Sequence, residues 1–154
     1  MTTQMNELQP ARVFADHEHR DLIRGLNRIH DVACGIGFDA APELSIHVLD
    51  VLHWLDEMLE PHLVWEDRWL YPEIDARVGT PWATRPARFD HQQIRSLTER
   101  IRTDRASLRQ VPALEHDELR CHLFGLEALL RAHIEREERF LLPILDEPAA
   151  SRSD

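Results

Sequence analysis

The sequence contains no lysine, and its acidic charge balance excludes some classes of protein. All 18 basic residues are arginines, against 28 acidic residues, and the formal net charge is −10. Nucleic-acid binding depends on basic patches, so we expect no nucleic-acid partner. No apolar run approaches the length of a transmembrane helix, and the N-terminal MTTQMNELQP lacks the pattern of a signal peptide. We therefore expect a cytoplasmic protein that does not enter a membrane.

Glycine, tyrosine, cysteine and strand-favouring runs are also scarce. The 154 residues include five glycines and one tyrosine, without the runs of Val, Ile and Thr that favour strands. Two cysteines, Cys34 and Cys121, do not make a disulfide framework. We expect them to be free and buried, although pairing between them is left open. The composition indicates one all-helical domain of ordinary size.

Four stretches carry the apolar periodicity of helices. The predicted helices cover about residues 11–33, 43–70, 87–109 and 113–142. Four helices joined by short loops favour an up-down-up-down four-helix bundle. We assign this bundle to residues 11–146 and expect flexible termini at 1–10 and 147–154.

The apolar stripes predict which side chains face the core. Along the second helix the stripe passes through Met58 and reaches Trp69, and along the fourth it ends at Phe140. We expect Trp69 and Phe140 to close the core at one end. Pro61 lies inside the second stripe and is expected to bend that helix. The helix is expected to end before Pro72.

An internal repeat relates the two halves of the chain. Residues 62–72 read HLVWEDRWLYP, and residues 133–143 read HIEREERFLLP. Without a gap, the two share the histidine, a glutamate four residues later, a second acid directly after it, and the proline. His19 and His91 each follow an acidic residue and lie 43 and 42 residues before the histidines that open these segments. The shared motif and spacing indicate a duplicated helical hairpin.

The bundle topology brings the four repeat histidines to one level. His19 and His91 lie early in their helices, whereas His62 and His133 lie late in theirs. In an antiparallel bundle, the starts of the first and third helices meet the ends of the second and fourth. All four imidazoles are therefore predicted near one end of the bundle.

Two glutamates share the faces of these histidines. Glu66 and Glu137 lie four residues after His62 and His133, so each pair lies on one side of its helix. A buried carboxylate is costly without a compensating charge, and two divalent cations would supply that charge. Nitrogen and carboxylate ligands suit iron, manganese or zinc. Without metal, the like charges are expected to raise the pKa of at least one glutamate.

This pattern resembles that of the hemerythrin-like proteins, the family with the HHE cation-binding domain. The doubled H-x-x-x-E-[DE], each followed by L-x-P, makes the resemblance specific, and it extends over residues 12–145. The resemblance implies a dinuclear non-heme iron centre with an oxo or hydroxo bridge, in which zinc or manganese are other candidates. The implied ligands are His19, His62, Glu66, His91, His133 and Glu137.

The resemblance also implies a choice of functions. Such centres bind dioxygen, or react with dioxygen, peroxide or nitric oxide. Oxygen carriers of the family have another histidine four residues from the one in the third helix, whereas Ala87 and Arg95 flank His91 at that spacing. Six ligands leave more coordination positions open. A carrier or sensor, an enzyme acting on peroxide or a small organic substrate, and a metal store or zinc-filled module remain alternatives, with the oligomeric state open.

Other side chains compete for the site or extend it. His17 is less suited than His19, because His17 shares its face with charged residues. Tyr71 could complete the coordination as a phenolate, with water as the alternative. Asp67 and Glu138, which directly follow the two glutamates, are expected to be solvated, to pair with arginines or to orient a histidine.

Overall fold

A computed structural model of the chain describes residues 5–110 and 116–146. The α-helices are α1 (Met5–Gly35), α2 (Ala41–Trp54), α3 (Glu60–Trp65), α4 (Tyr71–Val78), α5 (Arg85–Ser107) and α6 (Asp117–Arg136). Three π-helical segments lie between or after them, namely π1 (Leu55–Leu59), π2 (Glu66–Leu70) and π3 (Glu137–Leu141). A 3-10 turn, Leu142–Leu145, follows π3.

These elements form four long helices. The second runs without a break from Ala41 to Val78 through π1 and π2, and the fourth continues from α6 into π3. Helix α1 packs against α2 and α6, and α5 packs against the same two, so the four helices form a ring. The predicted up-down-up-down bundle is thus confirmed. Within the described ranges there is no strand, and no helix is long and apolar enough to cross a membrane.

The ends of the helices differ from the prediction in two places. Helix α1 begins at Met5, and the rest of both predicted flexible termini lies outside the described residues. The second long helix does not end before Pro72 but continues to Val78. Pro72 lies inside this continuous helix, two residues after the end of π2. Gly79, with a φ of 78°, adopts the left-handed conformation that ends the helix.

The π segments move the inward face of a helix by one residue. Trp69 and Phe140 are 68% and 65% exposed, so the prediction that they close the core is wrong. The following residues, Leu70 and Leu141, are buried instead, and Met58 in π1 is likewise exposed. A π turn bonds each N–H to the carbonyl five residues back rather than four. The added residue shifts the 3.6-residue periodicity from which the stripes were predicted.

Each π segment ends two residues before a proline, namely Pro61, Pro72 and Pro143. A proline ring inside an α-helix clashes with the carbonyl four residues earlier and leaves that carbonyl without a partner. A wider turn relieves this crowding, because neighbouring N–H groups bond one residue further back. Pro61 is therefore accommodated by a π turn inside a continuous helix.

The core consists of two apolar clusters with a polar layer between them. The larger cluster fills the bundle, and the smaller one lies around Tyr71 and Ile74 at the end where π2 and π3 finish. Along α1, Ala15 belongs to the smaller cluster, His19 is buried and Leu22 belongs to the larger cluster. The polar layer is therefore sealed by apolar side chains on both sides.

The two cysteines lie outside this core. Cys34 and Cys121 are both free and exposed, so the prediction that they are buried is wrong. Cys34 directly follows Ala33, which is on the buried stripe of α1, and the next helical position points away from that stripe.

Two glycines provide a matched test of the helix packing. A Cβ at Gly25 of α1 would lie 2.0 Å from the Trp54 ring, whereas one at Gly125 of α6 would have nothing within 4 Å. We expect Gly25→Ala to lower the free energy of unfolding by about 1–3 kcal/mol through overpacking. Gly125→Ala should raise it by about 1 kcal/mol through helix propensity. Urea denaturation measures both, and a stabilised Gly25→Ala variant would contradict the observed packing.

Candidate metal centre

The six side chains predicted to bind metal lie together in the polar layer. None of them is more than 3% exposed. They are His19 of α1, His62 of α3, Glu66 of π2, His91 of α5, His133 of α6 and Glu137 of π3. The structure thus brings all six predicted residues to one buried level, with ligand-type side chains from all four long helices.

The carboxylate of Glu66 lies among all four imidazoles. Its Oε1 is 2.7 Å from Nε2 of His62 and 3.6 Å from Nε2 of His19. Its Oε2 is 3.1 Å from Nε2 of His91 and 3.8 Å from Nε2 of His133. The two oxygens therefore face different pairs of histidines.

Glu137 occupies the corresponding place in the second half of the repeat. Its Oε2 is 3.2 Å from Nε2 of His19 and 3.6 Å from Nε2 of His133. The ligand-type atoms form two groups, each with two histidines and both glutamates, in which all atoms lie within 4.8 Å of one another. One group contains His19 and His62, and the other contains His91 and His133. Both glutamates are thus common to the two groups.

The hydrogen bonding of the layer shows that these residues fit a cation. Both ring nitrogens of His19 and His62, both carboxylate oxygens of Glu66 and Oε2 of Glu137 are buried without an aligned hydrogen bond. Buried polar groups in native proteins nearly always have a partner. Divalent cations would satisfy these atoms, and imidazole and carboxylate donors without thiolate suit iron, manganese or zinc.

Tyr71 adds a phenol to one side of the layer. Its buried hydroxyl donates a hydrogen bond to Oε1 of Glu137 and lies 3.0 Å from Nε2 of His91. Burial, together with the negative charges of Glu66 and Glu137, raises the pKa of Tyr71 above its ordinary value. The phenol therefore keeps its proton in the metal-free protein. The equivalent position of the repeat is Leu142, which has no proton to offer.

The competing histidine lies outside the layer. His17 is exposed and faces Asp21, with 3.8 Å between Nδ1 and the carboxylate. His19, two residues later on α1, is fully buried. The side chain with apolar neighbours in the sequence is thus the one that reaches the centre.

The acids that follow the two glutamates both face histidines. Oδ1 of Asp67 lies 3.1 Å from Nδ1 of His91, and Oε1 of Glu138 lies 3.5 Å from Nδ1 of His19. Asp67 also forms an ion pair with Arg95, at 3.5 Å. For Asp67, pairing with an arginine and contact with a histidine therefore occur together.

Two further acids at the centre were not singled out from the sequence. Oε2 of Glu18 lies 3.7 Å from Nδ1 of His62, and Oδ2 of Asp90 lies 3.4 Å from Nδ1 of His133. Asp90 is also bound by Arg136. The available signal was the acid that directly precedes the histidine in both repeats, but which histidine it faces depends on how neighbouring helices are rotated.

The buried charges control the protonation of the metal-free centre. Burial alone would lower the pKa of His19, but Glu137 and Glu66 outweigh it and raise that pKa to about 10. Burial alone would raise the pKa of Glu66, but contacts with the imidazoles, His133 first, lower it well below its ordinary value. At Glu66 the imidazoles thus outweigh the effect of burial. Metal binding must therefore displace protons.

Comparison with known proteins agrees with the geometry. A family model described as the hemerythrin HHE cation binding domain matches residues 13–145, which include all six buried side chains. The match confirms the resemblance read from the doubled motif. No curated protein and no solved structure matches the chain.

The raised pKa of His19 gives the metal-free fold a pH dependence. The histidine has an ordinary pKa of 6.5 in the unfolded chain and one of about 10 in the folded protein. Its protonation therefore stabilises the fold fully below pH 6.5, and this contribution is lost as the pH rises through about 10. With chelator present, the stability difference between wild type and His19→Gln in urea should shrink over this interval. A difference that grows with pH would contradict the assignment.

Proposed function

The chain belongs to the hemerythrin HHE cation binding domain family, and we propose that it holds two iron ions with which it binds, or reacts with, dioxygen, peroxide or nitric oxide. One observation carries the proposal: two groups of buried ligand-type atoms share both glutamates. His19 and His62 would hold one ion, and His91 and His133 the other. Glu66 and Glu137 would serve both.

The burial of the centre favours small partners. The six side chains are at most 3% exposed, and apolar clusters lie on both sides of their layer. Dioxygen, peroxide and nitric oxide can enter such a layer through small packing fluctuations, whereas an organic substrate would require a wide opening. This supports a reaction with a small molecule over oxidation of an organic substrate.

The bound metals and the protein supply different parts of the chemistry. Two iron ions would supply the electrons that dioxygen or peroxide accepts. The imidazoles and carboxylates hold the charge in place, and the apolar clusters exclude water from it, which strengthens every interaction within the layer. Manganese or zinc would fit the same donors, and zinc would leave the protein a metal store or a structural module because zinc has no redox chemistry.

The phenol of Tyr71 favours an enzyme acting on peroxide as the second candidate function. Reduction of one peroxide to water takes up two protons and two electrons, and oxidation of a second peroxide to dioxygen returns them. A positioned acid in the layer can deliver the protons in the first half and recover them in the second. Tyr71 Oη holds a proton against Oε1 of Glu137 and lies beside Nε2 of His91. A reversible carrier or sensor needs no such proton, so the reactivity of the iron-loaded protein distinguishes the two functions.

Metal content tests the site directly. Protein produced with iron should contain two irons per chain, one for each group, and show near-ultraviolet charge-transfer absorption. His62→Gln should lose iron, because His62 is buried beside Glu66. His53→Gln is the matched control, since His53 is exposed on the same long helix. Zinc alone after growth in iron would refute the oxygen chemistry, and equal iron in both variants would refute the site.

Tyr71→Phe tests the enzymatic alternative. The substitution removes the proton at Oη and little volume, so we expect two metals to remain bound and the fold to be intact. If the phenol delivers a proton, peroxide turnover should fall by about 10-fold or more, within the range typical of general acids. Oxygen release from peroxide by the iron-loaded proteins measures this effect. Unchanged turnover with unchanged iron content would exclude Tyr71 as the proton donor.

A further inference from the structure

The outer nitrogens of the four histidines form a second pattern around the centre. Each Nε2 faces the shared glutamates, and each Nδ1 faces away from them towards a carboxylate of a neighbouring helix. The Nδ1 to oxygen distances are 3.7 Å for His62 and Glu18, 3.1 Å for His91 and Asp67, 3.4 Å for His133 and Asp90, and 3.5 Å for His19 and Glu138.

These four contacts form a closed ring around the bundle. Helix α1 provides Glu18 for the histidine of the second long helix, which in turn provides Asp67 for the histidine of α5. Helix α5 provides Asp90 for the histidine of α6, and π3 completes the ring with Glu138 for the histidine of α1. Every long helix therefore gives one carboxylate to the next helix and receives one from the previous helix.

We propose that this carboxylate ring, Glu18, Asp67, Asp90 and Glu138, fixes the tautomer of all four histidines. In the metal-bound protein each Nδ1 carries the proton and donates a hydrogen bond to the facing carboxylate, and the lone pair of each Nε2 is left to bind a cation. A neutral imidazole has one protonated and one unprotonated nitrogen. A hydrogen-bond acceptor beside one nitrogen fixes the proton on that nitrogen. The inference rests on the proposed metal binding and assigns positioning residues to it.

The burial of the outer nitrogens supports this assignment. The Nδ1 atoms of His19, His62 and His91 are buried and lack an aligned hydrogen bond, although a carboxylate oxygen faces each of them. A buried N–H needs an acceptor. His133 already shows the expected arrangement, with its Nδ1 within hydrogen-bonding distance of Asp90. Small ring rotations would give the other three histidines the same bond.

The members of the ring are not held equally. Asp67 is paired with Arg95, and Asp90 is bound by Arg136, so these two carboxylates are fixed by arginines. Glu138 is 47% exposed and has more freedom to turn into solvent. We therefore expect loss of Asp67 or Asp90 to disturb the centre more than loss of Glu138.

Zinc-loaded protein allows the tautomers to be observed, because zinc is diamagnetic. Long-range ¹H–¹⁵N NMR spectra distinguish protonated Nδ1 from metal-bound Nε2. In the wild type we expect a protonated Nδ1 and a metal-bound Nε2 at all four histidines, His19, His62, His91 and His133. This readout requires no substitution and reports on the ring even where a variant fails to fold.

Substitutions then test whether the carboxylate causes the pattern. Asp67→Ala should weaken zinc binding by about 10- to 100-fold and change the ¹⁵N signals of His91. Asp67→Asn should retain the tautomer, because its amide oxygen still accepts the bond, and should bind zinc with intermediate affinity. Glu118→Gln, which removes one charge at an exposed site near the start of α6, should behave as wild type.

The outcomes separate this inference from the proposed function. Zinc bound through Nδ1, or equal zinc affinity and equal ¹⁵N signals in wild type and Asp67→Ala, would overturn the carboxylate ring while leaving metal binding intact. Wild-type protein that binds no divalent metal would overturn the proposed function and the ring with it. Loss of affinity in Asp67→Ala with recovery in Asp67→Asn supports the ring.

Discussion

The burial of two carboxylates, Glu66 and Glu137, is the constraint on which the rest of the structure depends. An isolated carboxylate in an apolar interior is strongly disfavoured. Here four imidazoles lie against the carboxylates, and cations would compensate the charges in the proposed metal-bound form. The apolar clusters on both sides keep water away, which makes the compensation both strong and necessary. All four long helices therefore have to present a polar side chain at the same level.

The π turns adapt a continuous helix to this requirement. Segments π2 and π3 begin at the two glutamates, and the first wide hydrogen bonds run from Tyr71 N–H to Glu66 O and from Leu142 N–H to Glu137 O. The spacing from His62 to Glu66 is still that of an α-helix, so both face inward. After the glutamate, the wide turn brings Leu70 and Tyr71 to the buried side and leaves Trp69 exposed. The phenol reaches the centre because of the wide backbone turn, and π turns are frequent at functional sites.

Periodicity and spacing in the sequence determine some side-chain positions in this structure and leave others undetermined. The six buried residues could be found because the repeat, the spacing of four and the antiparallel topology each constrain them. The positions of Trp69 and Phe140 could not, because one added residue per wide turn changes the face of everything that follows. Glu18 and Asp90 could not be paired with their histidines for a different reason: contacts between helices depend on how each helix is rotated about its axis.

The duplicated hairpin provides equal ligands but unequal surroundings. The side with His91 and His133 has the phenol of Tyr71, and its outer carboxylates are held by arginines. The other side has Leu142 at the position equivalent to Tyr71, and there Glu18 and Glu138 face the outer nitrogens of His62 and His19. The phenol proton that points at Glu137 is thus held on one side of the centre only. The symmetry of the repeat fixes where the charges lie, and the replacement of Tyr71 by Leu142 in the second half makes the two sides of the centre chemically unequal.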